Sequence, residues 1–305
     1  MIKLVDKIEE ANCITHSGTM HADEVFATAF LELYLKDIRL KRTATIDMKT
    51  IPNTTIVYDI GGEEFDHHQN QAKVRDNNIP YASFGLLWQK FGLLYLKQEN
   101  IEHEDEVFQE FDKNLIEGID AIDNGVFPKI ESSYKVQTIS DIIKSFNPSF
   151  GSNEVEDEQF KKAVFIAKEI IVENLYHING KVLARKMITD KLKTTTNQIL
   201  ILDTYMPYEE TILKSKLGDK ILFAIFPSNR GGYIIKTIPK SLTDKTTRIN
   251  FPKEWIGLTN EQLEQVSGVV GATFCYNNSF IVGCKTKQSA IKLATIAINK
   301  ANKDV

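Results

Sequence analysis

Hydrophobic positions in the first half of the chain switch repeatedly between two periods. Cys13 to Thr15 reads as a short buried strand, and from Asp23 onward Phe26, Phe30 and Leu33 share one face of a helix. Further strands are expected at 43–46 and at 54–59, the second closed by the Gly61-Gly62 turn. Helical spacing returns in Phe84, Leu87, Trp88, Phe91 and Leu94, and again in Phe108, Phe111, Leu115, Ile119 and Ile122, with Asn124-Gly125 as the stop signal. A helix over 138–146, the turn NPSFGSN and an acid-led helix from EVEDEQ to about His177 complete this half. Strands alternating with helices predict an α/β fold built on a mostly parallel, doubly wound sheet.

Beyond it comes a helical pattern over 181–192, followed by the apolar strand runs QILILDT, KILFAIF and GGYIIKTIP. The stretch EQLEQVSGVVGATFCYNNSFIVGCK reads as helix, strand, turn and strand, and QSAIKLATIAINK as a closing helix. A chain of 305 residues is long for one core, so two domains are expected: 1–178, and a smaller α/β domain over 179–305.

Composition narrows the class. Apolar residues at 42% and charged residues at 26% are ordinary for a soluble globular protein, and no apolar run approaches the roughly 20 residues of a membrane span. The start, MIKLVDKIEE, lacks the apolar segment of a secretory signal, so a cytoplasmic location is expected, with an organelle or the nucleus open for a eukaryotic source. Cys13, Cys275 and Cys284 are odd in number and far apart, which fits buried thiols in a reducing compartment. Charge is unevenly spread. Residues 1–175 carry 31 acids and 18 bases, and residues 176–305 carry 10 acids and 19 bases. Crowded carboxylates call for a cation, and a basic second half suits a polyanion, either nucleic acid or a phosphorylated small molecule.

The candidate chemistry lies at the ends of the predicted elements. Asp59 ends a strand, Asp66-His67-His68 follows shortly after it, and His16, His21 and Asp23 occupy the turn HSGTMHADE between a strand and a helix. Asp120 and Asp123 sit on one face near a helix C-terminus, where carboxylates oppose the helix dipole and need another partner. Imidazole and carboxylate from several segments, with no thiolate, is a ligand set for manganese, iron, zinc or magnesium in hydrolytic centres. A parallel sheet brings all of these positions to the carboxyl edge of its strands. His103 and His177 lack such company and read as surface or capping residues.

The motifs HSGTMHADE, YDIGG, FDHHQ, YASFGLLWQKFG, IDAIDNG, FNPSF and QVSGVVGATFCYNNSFIVGCKT, in this order, resemble the melanocyte-proliferating-gene (Myg-type) family, also labelled metal-dependent protein hydrolases. That family is a branch of the DHH-type phosphoesterases. The resemblance implies a DHH-like catalytic domain holding two divalent ions, usually manganese, with magnesium or zinc as alternatives, and a smaller domain that closes over substrate. It implies a first metal on His16, His21 and Asp59, and a second on Asp23, Asp59, His67 and Asp123, with Asp59 bridging and acting in catalysis. Asp120 stands in reserve for Asp123. His68 falls where such enzymes touch the scissile phosphate, and Asp66 where it orients a histidine.

For the family the resemblance implies 3′-to-5′ exonuclease action on RNA or short oligonucleotides. Arg230, Lys236 and Tyr276 are the expected substrate contacts, with Lys240, Lys245 and Arg248 nearby. Where the family commonly carries a histidine in FxHxxxFIGG, this chain has Tyr276 after Phe274-Cys275, a group that stacks or donates a hydrogen bond but carries no positive charge. Two other functions fit the same residues: a phosphohydrolase of pyrophosphate or a cyclic dinucleotide, and a scaffold whose ions only staple loops. No Walker loop, nucleophile elbow, glycine-rich dinucleotide fingerprint or HExxH motif is present.

Overall fold

The computed structural model describes residues 2–69 and 73–303 and is α/β, with contacts dividing the chain into units Met1–Gly180 and Lys181–Val305. In the first unit β1 (Lys3–Leu4), β2 (Cys13–His16), β3 (Arg39–Thr43) and β4 (Ile56–Val57) form a sheet in the order β1-β3-β2-β4, with every pairing parallel. Cys13, Ile14 and Thr15 are all buried, as suits a central strand of a parallel sheet. After β2 the chain crosses through α1 (Ala22–Leu35) to β3 on one side, then returns to β4 on the other. The strand order therefore reverses at β2, and a crevice at its carboxyl end is where ligands collect in such sheets.

Two strands differ from their sequence-based bounds. The strand expected at 43–46 lies at Arg39–Thr43, hidden in the sequence by its basic residues. Leu40 and Arg42 nevertheless point inward, and the Arg42 guanidinium meets Glu156 at 3.0 Å and Asp157 at 2.7 Å through Nη1 and the Gly18 carbonyl at 3.1 Å through Nη2, over the Phe160 ring. The strand expected to reach Asp59 ends earlier, because Tyr58 bridges to Phe65 and Asp59 turns to φ +56°.

The helices follow with α2 (Ser83–Gln98), α3 (Glu104–Phe111), a π-helical turn at Asp112–Ile116, and α4 (Glu117–Asp123), where one unbroken α-helix was expected. Next come α5 (Ile139–Lys144) and α6 (Glu156–Thr194). The helix expected to stop near His177 runs on through Asn179-Gly180, since one interior glycine costs only about 1 kcal/mol against the many good helix formers on either side. Phe30 of α1 packs edge-on against Trp88 and Tyr95 of α2, at ring distances of 5.3 and 5.7 Å, and Trp88 stacks on Phe108 of α3 at 5.3 Å. These rings pack α1 against α2 and α2 against α3.

The second unit has β5 (Ile199–Ile201), α7 (Glu209–Lys214), β6 (Phe223–Pro227), β7 (Tyr233–Thr237), α8 (Asn260–Ser267), β8 (Ala272–Cys275), β9 (Ile281–Cys284) and α9 (Lys287–Ala301). Its sheet runs β5-β6-β7-β9-β8, parallel between β5 and β6 and antiparallel elsewhere. Phe223, Ile235, Trp255, Leu263, Val282 and Leu293 belong to its core. Among the described residues no helix is long and apolar enough to cross a membrane.

Candidate metal centre

The end of β2, the start of α1 and the loop after β4 bring histidine and carboxylate side chains to the carboxyl edge of the first sheet. His16 is the last residue of β2, and its Nε2 stands 3.2 Å from Asp59 Oδ2 and 3.5 Å from Glu24 Oε1. His21 is the N-cap of α1, its ring 6.0 Å from that of His16, and its backbone N–H donates to both Glu24 oxygens at 2.8 and 3.0 Å. The loop between the two histidines is braced. Asn147 accepts from the Met20 N–H at 2.8 Å and donates to the Met20 carbonyl at 2.9 Å, while Glu156 accepts from the Gly18 N–H at 2.8 Å.

Asp23, in the first turn of α1, is wholly buried and accepts from the Ser83 and Phe84 N–H groups at 2.8 and 2.7 Å, so the start of α2 holds its carboxylate. Asp59 takes the left-handed conformation, uncommon for a residue with a side chain, and its N–H donates to the Phe65 carbonyl at 3.1 Å. That turn aims the carboxylate both ways. Oδ2 faces His16, and Oδ1 lies 3.4 Å from His67 Nδ1.

Asp66 organises the loop that presents the two adjacent histidines. Its Oδ2 accepts from the Gly62 N–H at 2.7 Å, and its Oδ1 accepts from the His68 N–H at 3.0 Å and from His68 Nδ1 at 2.8 Å. Burial works against its charge, yet these donors outweigh it and hold the carboxyl below its ordinary value. His67 turns inward, with Nε2 3.1 Å from Asp123 Oδ2 and Nδ1 3.9 Å from Asp23 Oδ2. His68 turns outward, its side chain 65% exposed, and because Nδ1 is bonded to Asp66, Nε2 is the ring nitrogen left for another partner.

Three sets of ligand atoms thus converge, each within 4.8 Å: His16, His21 and Glu24; Asp23, His67 and Asp123; and Asp59, Asp66, His67 and His68. Asp120, the reserve for Asp123, is held elsewhere. It is fully buried, bonded by Arg75 Nη2 at 2.7 Å and by the Gly85 N–H at 3.2 Å, and Arg75 also chelates Asp112. Glu24 was not singled out in the sequence, because an acid three residues after a helix start reads as a capping box. It does cap, and it also faces His16.

Electrostatics test whether this set suits cations. Burial pushes the Asp23 carboxyl well above the ordinary value, and Asp59, Asp123 and Asp120 push it further; burial likewise raises Glu24, against the pull of His16. Burial lowers the His16 pKa, but Asp59 and Glu24 outweigh it and raise the imidazole to about 11. Burial also opposes charge on His67, and hydrogen bonding to Asp123 with the field of Asp59 overcomes it. Asp59 Oδ1 and His67 Nδ1 are buried without a hydrogen-bond partner. Such a strongly negative, incompletely satisfied cluster of oxygens and imidazoles fits divalent ions on His16, His21, Asp23, Asp59, His67 and Asp123.

The expected substrate contacts lie in the second unit and do not gather at one place. Lys236 is opposite Ile281 of β9, whose carbonyl accepts from the Tyr276 N–H at 2.9 Å, so Lys236 and Tyr276 share one end of the sheet. Arg230 lies in the β6–β7 turn beyond Tyr233, at the other end. Lys236 and Lys245 both approach Glu209, at 3.6 and 3.0 Å, and Arg248 donates to the carbonyls of Gly218, Asp219 and Ile221. Gly232, at φ +71°, has a structural reason of its own, since a Cβ there would meet the Cys284 carbonyl oxygen at 2.3 Å.

The model of the family MYG1_exonuc, described as an uncharacterised protein family (UPF0160), matches residues 12–298. A MYG1 protein of Dictyostelium discoideum is 28% identical over 320 residues, covering 95% of this chain and 97% of its own. A protein of Homo sapiens named MYG1 exonuclease is 29% identical over 316 residues, covering 92% of this chain and 84% of its own. A MYG1 protein of Chlamydia trachomatis is 28% identical over 302 residues, covering 94% and 96%. No solved structure matches.

Proposed function

The chain belongs to the MYG1_exonuc family (UPF0160), and from that premise we propose that it is a metal-dependent phosphodiesterase, a 3′-to-5′ exonuclease on RNA or short oligonucleotides. The observation that supports this reading most is the Asp59 carboxylate, one oxygen turned to His16 and the other to His67. That is the orientation a carboxylate would need to serve two ions. Mouse and human relatives named MYG1 exonuclease supply the reaction class.

His16, His21 and Asp59 would hold one ion, and Asp23, Asp59, His67 and Asp123 the other, with manganese the metal we propose. When bound, two such ions lower the pKa of water into the neutral range and offset negative charge at a phosphate. The chain's own residues do the rest. Asp66 fixes the His68 ring through Nδ1, so that in the doubly protonated ring Nε2–H is free to hydrogen-bond a phosphoryl oxygen or to deliver its proton to the leaving oxygen. The Asn147 and Glu156 contacts keep the His16–His21 loop from shifting as ligands load. Lys236 and Tyr276 are the proposed contacts to the strand in the second unit, with Arg230 a separate one. The protein works in the cytoplasm on this reading.

The test is incubation with manganese and end-labelled RNA and DNA, with products resolved over time. Release of 5′-mononucleotides, stopped by chelation, is the expected result. Faster turnover of pyrophosphate or a cyclic dinucleotide than of any oligonucleotide would replace the reading with the small-molecule one. His68→Ala should lose activity by roughly 100-fold or more, the scale of a proton-transfer group, with metal stoichiometry and Tm unchanged. Retained activity in that variant would remove His68 from the reaction.

A further inference from the structure

Between α4 and α5 every residue from 125 to 137 is exposed, a stretch without helix or strand. Connections of that length without secondary structure are uncommon in compact units and are usually functional. Its sequence, VFPKIESSYKV from Val126, is not that of a merely solvated loop. Phe127 is 70% and Tyr134 75% exposed, Lys129 and Lys135 are interleaved with them, and Glu131 is the one acid. Exposed aromatic rings offer flat apolar faces that a partner can cover.

Position supplies the partner's chemistry. The loop leaves α4 two residues after Asp123, and the Val126 N–H bond to the Ala121 carbonyl, at 2.8 Å, ties its root to that helix. A further ring, Phe150, is fully exposed in the turn over 148–155, whose flanks Asn147 and Glu156 are tied to Met20 and Gly18 beside the other side of the cluster. The geometry points to Phe127, Tyr134 and Phe150 as a stacking platform for the nucleobases of a single-stranded nucleic acid, a placement that rests on the phosphodiesterase reading. Phe127 and Tyr134 each stand within two residues of a lysine, which suits a strand, whose bases offer faces and whose phosphates offer charge; Phe150 adds a ring face without a neighbouring lysine. A protein-binding patch would be expected to be more continuous and less cationic.

The experiment compares kcat/KM with manganese on a short RNA strand and on an abasic strand of the same length, for the wild type and for the variant F127A/Y134A/F150A. Each stacked base should favour the base-bearing strand by about 5- to 150-fold in the wild type. The variant should lose that preference through KM, while its rate on the abasic strand and its Tm match the wild type, since all three rings are exposed. A variant that keeps the preference overturns the platform and leaves the rings to a protein partner. A wild type that cleaves both strands equally also overturns it while sparing the phosphodiesterase reading. A wild type that cleaves neither strand overturns both.

Discussion

Asp59→Asn is expected to abolish the stabilisation that manganese gives the wild type while leaving the metal-free protein no less stable. A ligand that binds only the folded state raises its stability by about 2.7 kcal/mol at a concentration 100 times its Kd. Asp59 faces His16 through one oxygen and His67 through the other, so its loss weakens both proposed ion sites together. In the metal-free protein two effects oppose the lost His16 contact. The charge that raises Asp23 and Glu24 disappears, and asparagine adopts the left-handed backbone at least as readily as aspartate. Activity should fall beyond the roughly 10- to 100-fold that outer partners of a metal site cost. Metal analysis and melting curves with and without manganese decide it, and an unchanged metal-dependent Tm gain would remove Asp59 from the centre.

The elements carrying His16, Asp23 and Asp59 could be read from sequence because their signals are local. Buried Cys13 to Thr15 show a short apolar run, α1 carries Phe26, Phe30 and Leu33 at helical spacing, and Asp59, two residues past β4 rather than in it, stands out as a charge after an apolar run. The features that escaped depend on distant partners. β3 is disguised by Arg39, Lys41 and Arg42, and Arg42 is tolerated inside only because Glu156 and Asp157, more than a hundred residues later, neutralise it. The continuity of α6 through Asn179-Gly180 is a matter of summed helix propensity, which a local stop signal obscures. Glu24 carried two meanings, a helix cap and a neighbour of His16, and the sequence pattern suggests only the first. The order of Asp120 and Asp123 was open for the same reason: both belong to one helix, and what separates them is Arg75, reaching across from 45 residues upstream.

That separation predicts opposite phenotypes for two aspartates three residues apart. Asp120 is buried against Arg75 and the Gly85 N–H, in a site so close that a Cβ on Gly85 would meet Asp120 Oδ2 at 2.0 Å. Burial lifts its carboxyl to about 7 even with Arg75 beside it, which marks how little water reaches the pair. Removing one partner of a buried ion pair costs about 3 to 5 kcal/mol, and because Asp112 still holds Arg75 the lower end is expected for Asp120→Ala. At that size the loss is a large share of a typical domain's stability and lowers the urea midpoint with little change in slope. Asp123→Ala should do the reverse. Its carboxylate is partly exposed and meets His67 Nε2 at 3.1 Å, so the metal-free variant should lose about 1 kcal/mol or less. Its metal content and its activity should fall sharply, since the His67 cluster loses a proposed oxygen ligand. Urea denaturation and metal analysis on both variants separate the roles. A stable Asp120→Ala protein that no longer binds metal, beside an Asp123→Ala protein that still does, would exchange the two assignments and move the second ion one helical turn inward.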